Sequence, residues 1–178
     1  GVISEVGEGV DHVAIGDAVM GIVAPTASHG GYSSSIVLPA RSVVRAPQGS
    51  SAVEACTLPM NGLTAQYALD LLDLPQGATL AITGAAGAFG GYMVQLGVHR
   101  GLRVIADSSA ADEDLVRSLG AHEVIRRGDD IADRIRALVP GGVDGLADGS
   151  IQNELLLPAV RDDGGFATVR GFQGPSER

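Results

Sequence analysis

The stretch that decides the fold is Thr79–Gly101, TLAITGAAGAFGGYMVQLGVHRG. A short apolar, strand-forming run leads into a cluster of small residues from Gly84 to Gly90, and an apolar helical stretch follows. That order brings unpaired backbone N–H groups and the positive end of a helix dipole to one point, an arrangement that receives a phosphate. In a dinucleotide-binding unit the middle glycine lets backbone approach the pyrophosphate, and the last lets helix and strand pack closely. Those positions are Gly87 and Gly90; Ala85 replaces the first glycine, and Gly84 takes over part of the tight turn. The turn nominates Ala85, Gly87, Ala88, Phe89 and Gly90 as cofactor-binding positions, with the N–H groups of Gly87, Ala88 and Phe89 opening the helix.

Working downstream, short apolar strands alternate with helical stretches. The strands are ATLAIT (Ala78–Thr83), RVIAD (Arg103–Asp107), HEVI (His122–Ile125), VDGLAD (Val143–Asp148) and GGFATVRG (Gly164–Gly171). Helices are expected near Ala88 to Arg100, Asp112 to Leu119, Asp130 to Leu138 and Gln152 to Val160. Such alternation means βαβ units, right-handed crossovers and a Rossmann-type, doubly wound parallel sheet of α/β class. Upstream, SAVEACTLPMNGLTAQYALDLLDL (Ser51–Leu74) reads as a helix, a break at Leu58-Pro59, and a helix to about Leu72. From Gly1 to about Pro47 the pattern is strand-like: GVISEVGEG, GDAVMGIV, YSSSIVLP and SVVRAP. The organisation expected is a partial β domain over 1–50 and a dinucleotide-binding domain over 51–178. The uncharged run Gly77–Val98 is long enough to span a membrane, but Thr83, Gly84, Gly87, Gly90, Gly91 and Gln95 interrupt it, and it reads as strand, turn and helix.

Composition narrows the partners. The 178 residues carry 12 basic against 21 acidic side chains, a net charge of −9, with 3% aromatics. No basic cluster and few stacking rings argue against nucleic acid. There is no lysine, so a phosphate clamp must use Arg, hydroxyls or backbone N–H groups. The single cysteine, Cys56, rules out an internal disulfide framework; it reads as an inert core thiol and fits a reducing, cytoplasmic setting. No targeting segment is visible. His29 reads as a loop residue rather than a metal ligand.

Asp107 ends the second strand of the repeated unit, about twenty residues after the turn begins, where an acidic residue binds a ribose 2′-OH and selects NAD over NADP. The other reading is a cap for the following helix. Ser108, Ser109, Arg126 and Arg127 could instead bind a 2′-phosphate, which Asp112, Glu113 and Asp114 would repel.

Four stretches together resemble the medium-chain dehydrogenase/reductase superfamily, in its zinc-independent quinone oxidoreductase-like branch: GVISEVGEGVDHVAIGDAVMGIV, LPMNGLTAQYAL, ITGAAGAFGGYMVQLGVHRGLRVIA and LVRSLGAHEVI. The resemblance implies that residues 1–50 belong to a GroES-like catalytic domain whose first strands lie outside the chain, as does the sixth strand of the cofactor sheet. It implies that Thr64, in GLTA, lies beside the cofactor phosphates and nicotinamide, and that Val169, Arg170 and Gly171 line the nicotinamide pocket. The cysteine cluster of zinc-binding relatives is absent, so no structural zinc is expected. The family favours NADPH, the acidic residues near Asp107 favour NADH, and the balance falls to NADPH with NADH as the alternative. The implied reaction is hydride transfer to a quinone or an activated C=C or carbonyl of a small-molecule substrate; no catalytic acid or base can be named. The alternative is a cofactor-binding or sensory module, or an inactive fragment. The resemblance further implies a homodimeric, longer parent, and unpaired strand edges imply that the isolated chain self-associates or is marginally stable.

Overall fold

The computed structural model describes residues 1–24 and 30–172. His29 lies outside the described residues. The chain forms two compact units, Gly1–Gly62 and Leu63–Arg178.

In the first unit β1 (Val19–Gly21) pairs antiparallel with β2 (Val43–Arg45), Met20 opposite Val44. The His12 ring Nε2 donates between the carbonyls of Ala40 and Val43, 3.2 Å from each. Asp17 accepts from the Ala14 N–H at 2.9 Å and meets Arg45 at 3.0 Å, which ties the turn before β1 to the end of β2. Strand character was expected more widely. GVISEVGEG contributes only a bridge between Val2 and Ala18, and YSSSIVLP contributes no strand. Propensity alone does not make a strand where no neighbouring backbone completes the ladder.

Helix α1 (Ala52–Leu72) begins in one unit and ends in the other. Ser51 and Glu54 form a capping box at its start: the Glu54 carboxylate accepts from Ser51 N–H at 2.8 Å, and Ser51 Oγ accepts from Glu54 N–H at 3.2 Å. The expected break at Leu58-Pro59 is absent; the helix runs through Pro59. A mid-helix proline costs about 3 kcal/mol. Burying Ala65, Ala68, Leu69 and Leu72 further along offsets this, at about 1.5–3 kcal/mol for each leucine. The same geometry corrects the reading of Cys56. It is exposed, and its thiol donates to the Val53 carbonyl at 3.1 Å, whereas its neighbour Ala55 takes the buried position on that turn.

The second unit is a five-stranded parallel sheet of β3 (Thr79–Thr83), β4 (Arg103–Ser108), β5 (Glu123–Arg126), β6 (Val143–Asp148) and β7 (Val160–Thr168), in the order β5-β4-β3-β6-β7. Helices α2 (Ala88–His99), α3 (Glu113–Ser118) and α4 (Ile131–Leu138) lie between successive strands. Strands covered on both faces read as continuous apolar runs, and β3, β4 and β6 do so. One layer of core joins Leu69, Leu80, Ile82, Met93, Val94 and Val104; the other joins Ile105, Ile131, Ile135, Leu146 and Leu156. The expected helix from Gln152 is instead a 3₁₀ helix, Asn153–Ala159, and β7 starts at Val160, before the expected Gly164. Pro158 has no N–H to close an α-turn, and its ring crowds the carbonyl four residues back. The strand order reverses between β3 and β6, so the crevice beyond their carboxyl ends is the topological switch point.

The turn after β3 has two steric requirements. Gly84 has φ +68°, in the left-handed region. Gly90 has no room for a side chain: a Cβ there would overlap the Gly84 carbonyl oxygen and lie 2.6 Å from Ala85 Cα. Gly90→Ala is expected to cost at least about 2 kcal/mol by overpacking, lowering the melting temperature by roughly 2–4 °C per kcal/mol. Gly62, inside α1 with nothing within 4 Å of its missing Cβ, gives the opposite sign. Gly62→Ala should stabilise by about 0.5–1 kcal/mol. Calorimetric melting of both variants checks the pair.

Candidate functional site

At the start of α2, the N–H of Gly87 donates to the Gly84 carbonyl at 2.9 Å, and the first helical bond runs from Gly91 N–H to Gly87 O at 2.8 Å. The open donors are therefore Ala88, Phe89 and Gly90, none of which has a partner among the described residues. This moves the expected trio one residue along, from Gly87 to Gly90. The reason is local: the tight turn at Gly84 closes on the N–H of Gly87 before the helix begins. No side chain caps the α2 start, so its dipole end stays open to an anion.

Ala85 and Asp107 are both fully buried. Asp107 Oδ1 accepts from the Ala85 N–H at 3.0 Å, and its Oδ2 accepts from Arg127 Nε at 3.0 Å. The carboxylate therefore faces inward, between the glycine turn and β5, and caps no helix. Ser108 is 2% exposed, and the Ser109 hydroxyl donates to Asp112 at 2.6 Å. Arg126 stands opposite Ser108 in the β4–β5 register, and Arg127 N–H donates to the Ser108 carbonyl at 2.8 Å. Both arginines are exposed at the carboxyl ends of these strands. Glu113 pairs with Arg117 on its own helix at 2.7 Å.

A second carboxylate holds the switch point. Asp148, 0% exposed at the end of β6, accepts from five donors: Thr83 Oγ1 at 2.7 Å, Ser150 Oγ at 2.9 Å, and the N–H groups of Ser150, Ile151 and Asn153 at 2.8–2.9 Å. Burial alone would push its carboxyl up; the donors from Asn153, Thr83 and Ser150 together outweigh that and hold it below the ordinary aspartate range. The loop it gathers has Ile151 at φ 63°, a left-handed conformation rare for a β-branched residue, and Asn153 at φ 51°, which Asn adopts more readily. Sequence reading passed over Asp148, Thr83 and Ser150. The available signal was an acidic residue ending an apolar strand before a glycine, the pattern that drew attention to Asp107.

Beside the turn lies a cavity of about 280 Å³, walled by Thr64, Tyr67 and Leu71 of α1, Phe89 of α2, Phe166 to Thr168 of β7, and Val169 just after it. It brings together Thr64, Phe89 and Val169, which sequence reading nominated separately; Tyr67 and Phe166 were not nominated. Arg170 and Gly171 follow β7 as exposed residues and do not line it. Among the described residues no helix is long and apolar enough to cross a membrane, and no group of three or more His, Cys, Asp or Glu could hold a metal ion.

No protein-family profile matches the chain. The pikromycin polyketide synthase component PikAII of Streptomyces venezuelae is 35% identical over 165 residues, which is 90% of this chain and 4% of that protein. The chloroplast envelope quinone oxidoreductase homolog of Arabidopsis thaliana is 35% identical over 131 residues, 70% of this chain and 40% of that protein. Among solved structures, CurK enoyl reductase superposes with a TM-score of 0.86 at 33% identity, covering 99% of this chain and 53% of that one. The chain thus spans about half the length of this solved relative and less of the curated ones.

The Asp148 cluster sets an acid dependence. Because its folded carboxyl lies below the unfolded value of about 3.9, the stabilisation is complete above that value and is lost as pH falls through the folded one. Asp148→Asn should lose about 1–3 kcal/mol at neutral pH, because its amide nitrogen faces donors. Between about pH 5 and pH 2 its stability should fall less steeply than that of the wild type. Denaturant titrations at several pH values measure both effects.

Proposed function

We propose that this chain, which belongs to the medium-chain dehydrogenase/reductase superfamily together with quinone oxidoreductases and enoyl reductases, binds a nicotinamide dinucleotide and forms the cofactor half of an oxidoreductase. The observation that carries the reading is the set of unpaired N–H groups on Ala88, Phe89 and Gly90, at the switch point of a parallel sheet. The residues present fit the cofactor. The open start of α2 suits a pyrophosphate, since its donors and dipole both favour negative charge. The apolar cavity of Thr64, Phe89 and Val169 suits the nicotinamide end, where excluding water protects a hydride. Arg126 and Arg127 stand where an adenosine 2′-phosphate would need cations in a chain without lysine. That placement favours NADPH, because the carboxylate that would prefer NADH is turned inward.

When bound, the nicotinamide supplies the hydride. This chain's residues bind the phosphates, orient the ring end and keep water away. The acceptor proposed is a quinone or an activated C=C bond, in keeping with relatives described as quinone oxidoreductase and enoyl reductase.

Titration calorimetry tests the cofactor reading. NADPH should bind, and more tightly than NADH. Gly87→Val adds bulk at a position whose Cβ would already lie 3.2 Å from the Gly84 oxygen. It should weaken binding at least tenfold, about 1.4 kcal/mol. Affinity unchanged in that variant contradicts the placement of the pyrophosphate.

A further inference from the structure

We propose that Asp107 governs the choice between NADPH and NADH without touching either, by aiming Arg127. The inference rests on the nucleotide reading above and departs from what an acidic residue at this strand end ordinarily does. A carboxylate that reads a ribose must offer a free oxygen to its 2′-OH. Asp107 is 0% exposed and gives one oxygen to the Ala85 N–H and the other to Arg127 Nε, each at 3.0 Å. A ligand cannot reach it without dismantling the turn.

The same contacts give it a different task. A guanidinium is a rigid planar fork, so holding its Nε fixes the plane in which the two terminal nitrogens lie. Those nitrogens have no partner among the described residues, and the Arg127 side chain is 42% exposed. The backbone of Arg127 is fixed as well, through its N–H bond to the Ser108 carbonyl at 2.8 Å. One buried anion therefore sets both the first residue of the phosphate turn and the orientation of an exposed cation beside it. The ion pair also cancels the Asp107 charge locally, so the carboxylate does not repel a phosphate as an exposed one would. Arg126, adjacent and unpaired, leaves the strand end net positive. Asp107 is thus a positioning residue, and Arg127 is the group that meets the 2′-phosphate.

The test is a double-mutant cycle read as dissociation constants for NADPH and NADH, with melting temperatures alongside. Asp107→Asn should lower the ratio of NADPH to NADH affinity about tenfold, any loss through the shared phosphate turn falling on both nucleotides alike, and this effect on the ratio should vanish when Arg127→Leu is already present. Arg127→Lys covers the case in which the buried substitution prevents folding: it keeps the charge but lacks the Nε–H that Asp107 holds, and should lose NADPH affinity nearly as fully as Arg127→Leu. Three results overturn the proposal: a shift of the ratio toward NADPH in Asp107→Asn, an Asp107→Asn effect on the ratio that persists without Arg127, or full NADPH affinity in Arg127→Lys. A wild-type chain that binds neither nucleotide overturns the nucleotide reading and this inference together; any of the other three leaves the nucleotide reading standing.

Discussion

The absence of a side chain at position 90 is the constraint on which the second unit turns. The backbone of the Gly84–Ala85 turn occupies the space a Cβ would need, so α2 starts against the end of β3. This closeness brings the open N–H groups of Ala88, Phe89 and Gly90 to the carboxyl edge of the sheet, beside the point where strand order reverses.

Two fully buried carboxylates hold that edge in place. Asp107 joins β4 to the turn and to Arg127; Asp148 joins β6 to Thr83 on β3 and gathers the strained loop that follows. A buried charge is expensive unless its lone pairs are met by donors, and here they are met almost entirely by neighbouring backbone and hydroxyl groups. The two sites divide the labour. One stiffens the glycine turn from the β4 side, and the other stiffens the crevice between β3 and β6. Tying the site to strand ends in this way positions it more firmly than loops alone could.

The sheet was legible in the sequence because its signals are local and repeated: apolar runs of strand length, glycines between them, and helical stretches of matching length. The glycine turn was legible for the same reason, down to the part Gly84 takes in it, which it plays with a φ of +68°. What was not legible depended on tertiary partners. Pro59 and Pro158 carry the same local signal, yet one sits within an α-helix that buries its later turns and the other within a 3₁₀ helix. Cys56 and Ala55 differ in burial by one helical position. Asp107 stands out in the sequence by its position at a strand end, but the direction its carboxylate faces depends on Arg127, twenty residues away. Asp148 was passed over because its partners, Thr83 above all, are distant in sequence.

The central claim is that the N–H groups of Ala88, Phe89 and Gly90 receive the pyrophosphate of a nicotinamide dinucleotide. Amide chemical shifts of the isotope-labelled chain, followed as NADPH is added, report on those groups directly. The account predicts that these amides move most and saturate together, with the Arg127 Nε resonance shifting in parallel. Saturating nucleotide that leaves the three amides in place, or that shifts only residues remote from the start of α2, would contradict it.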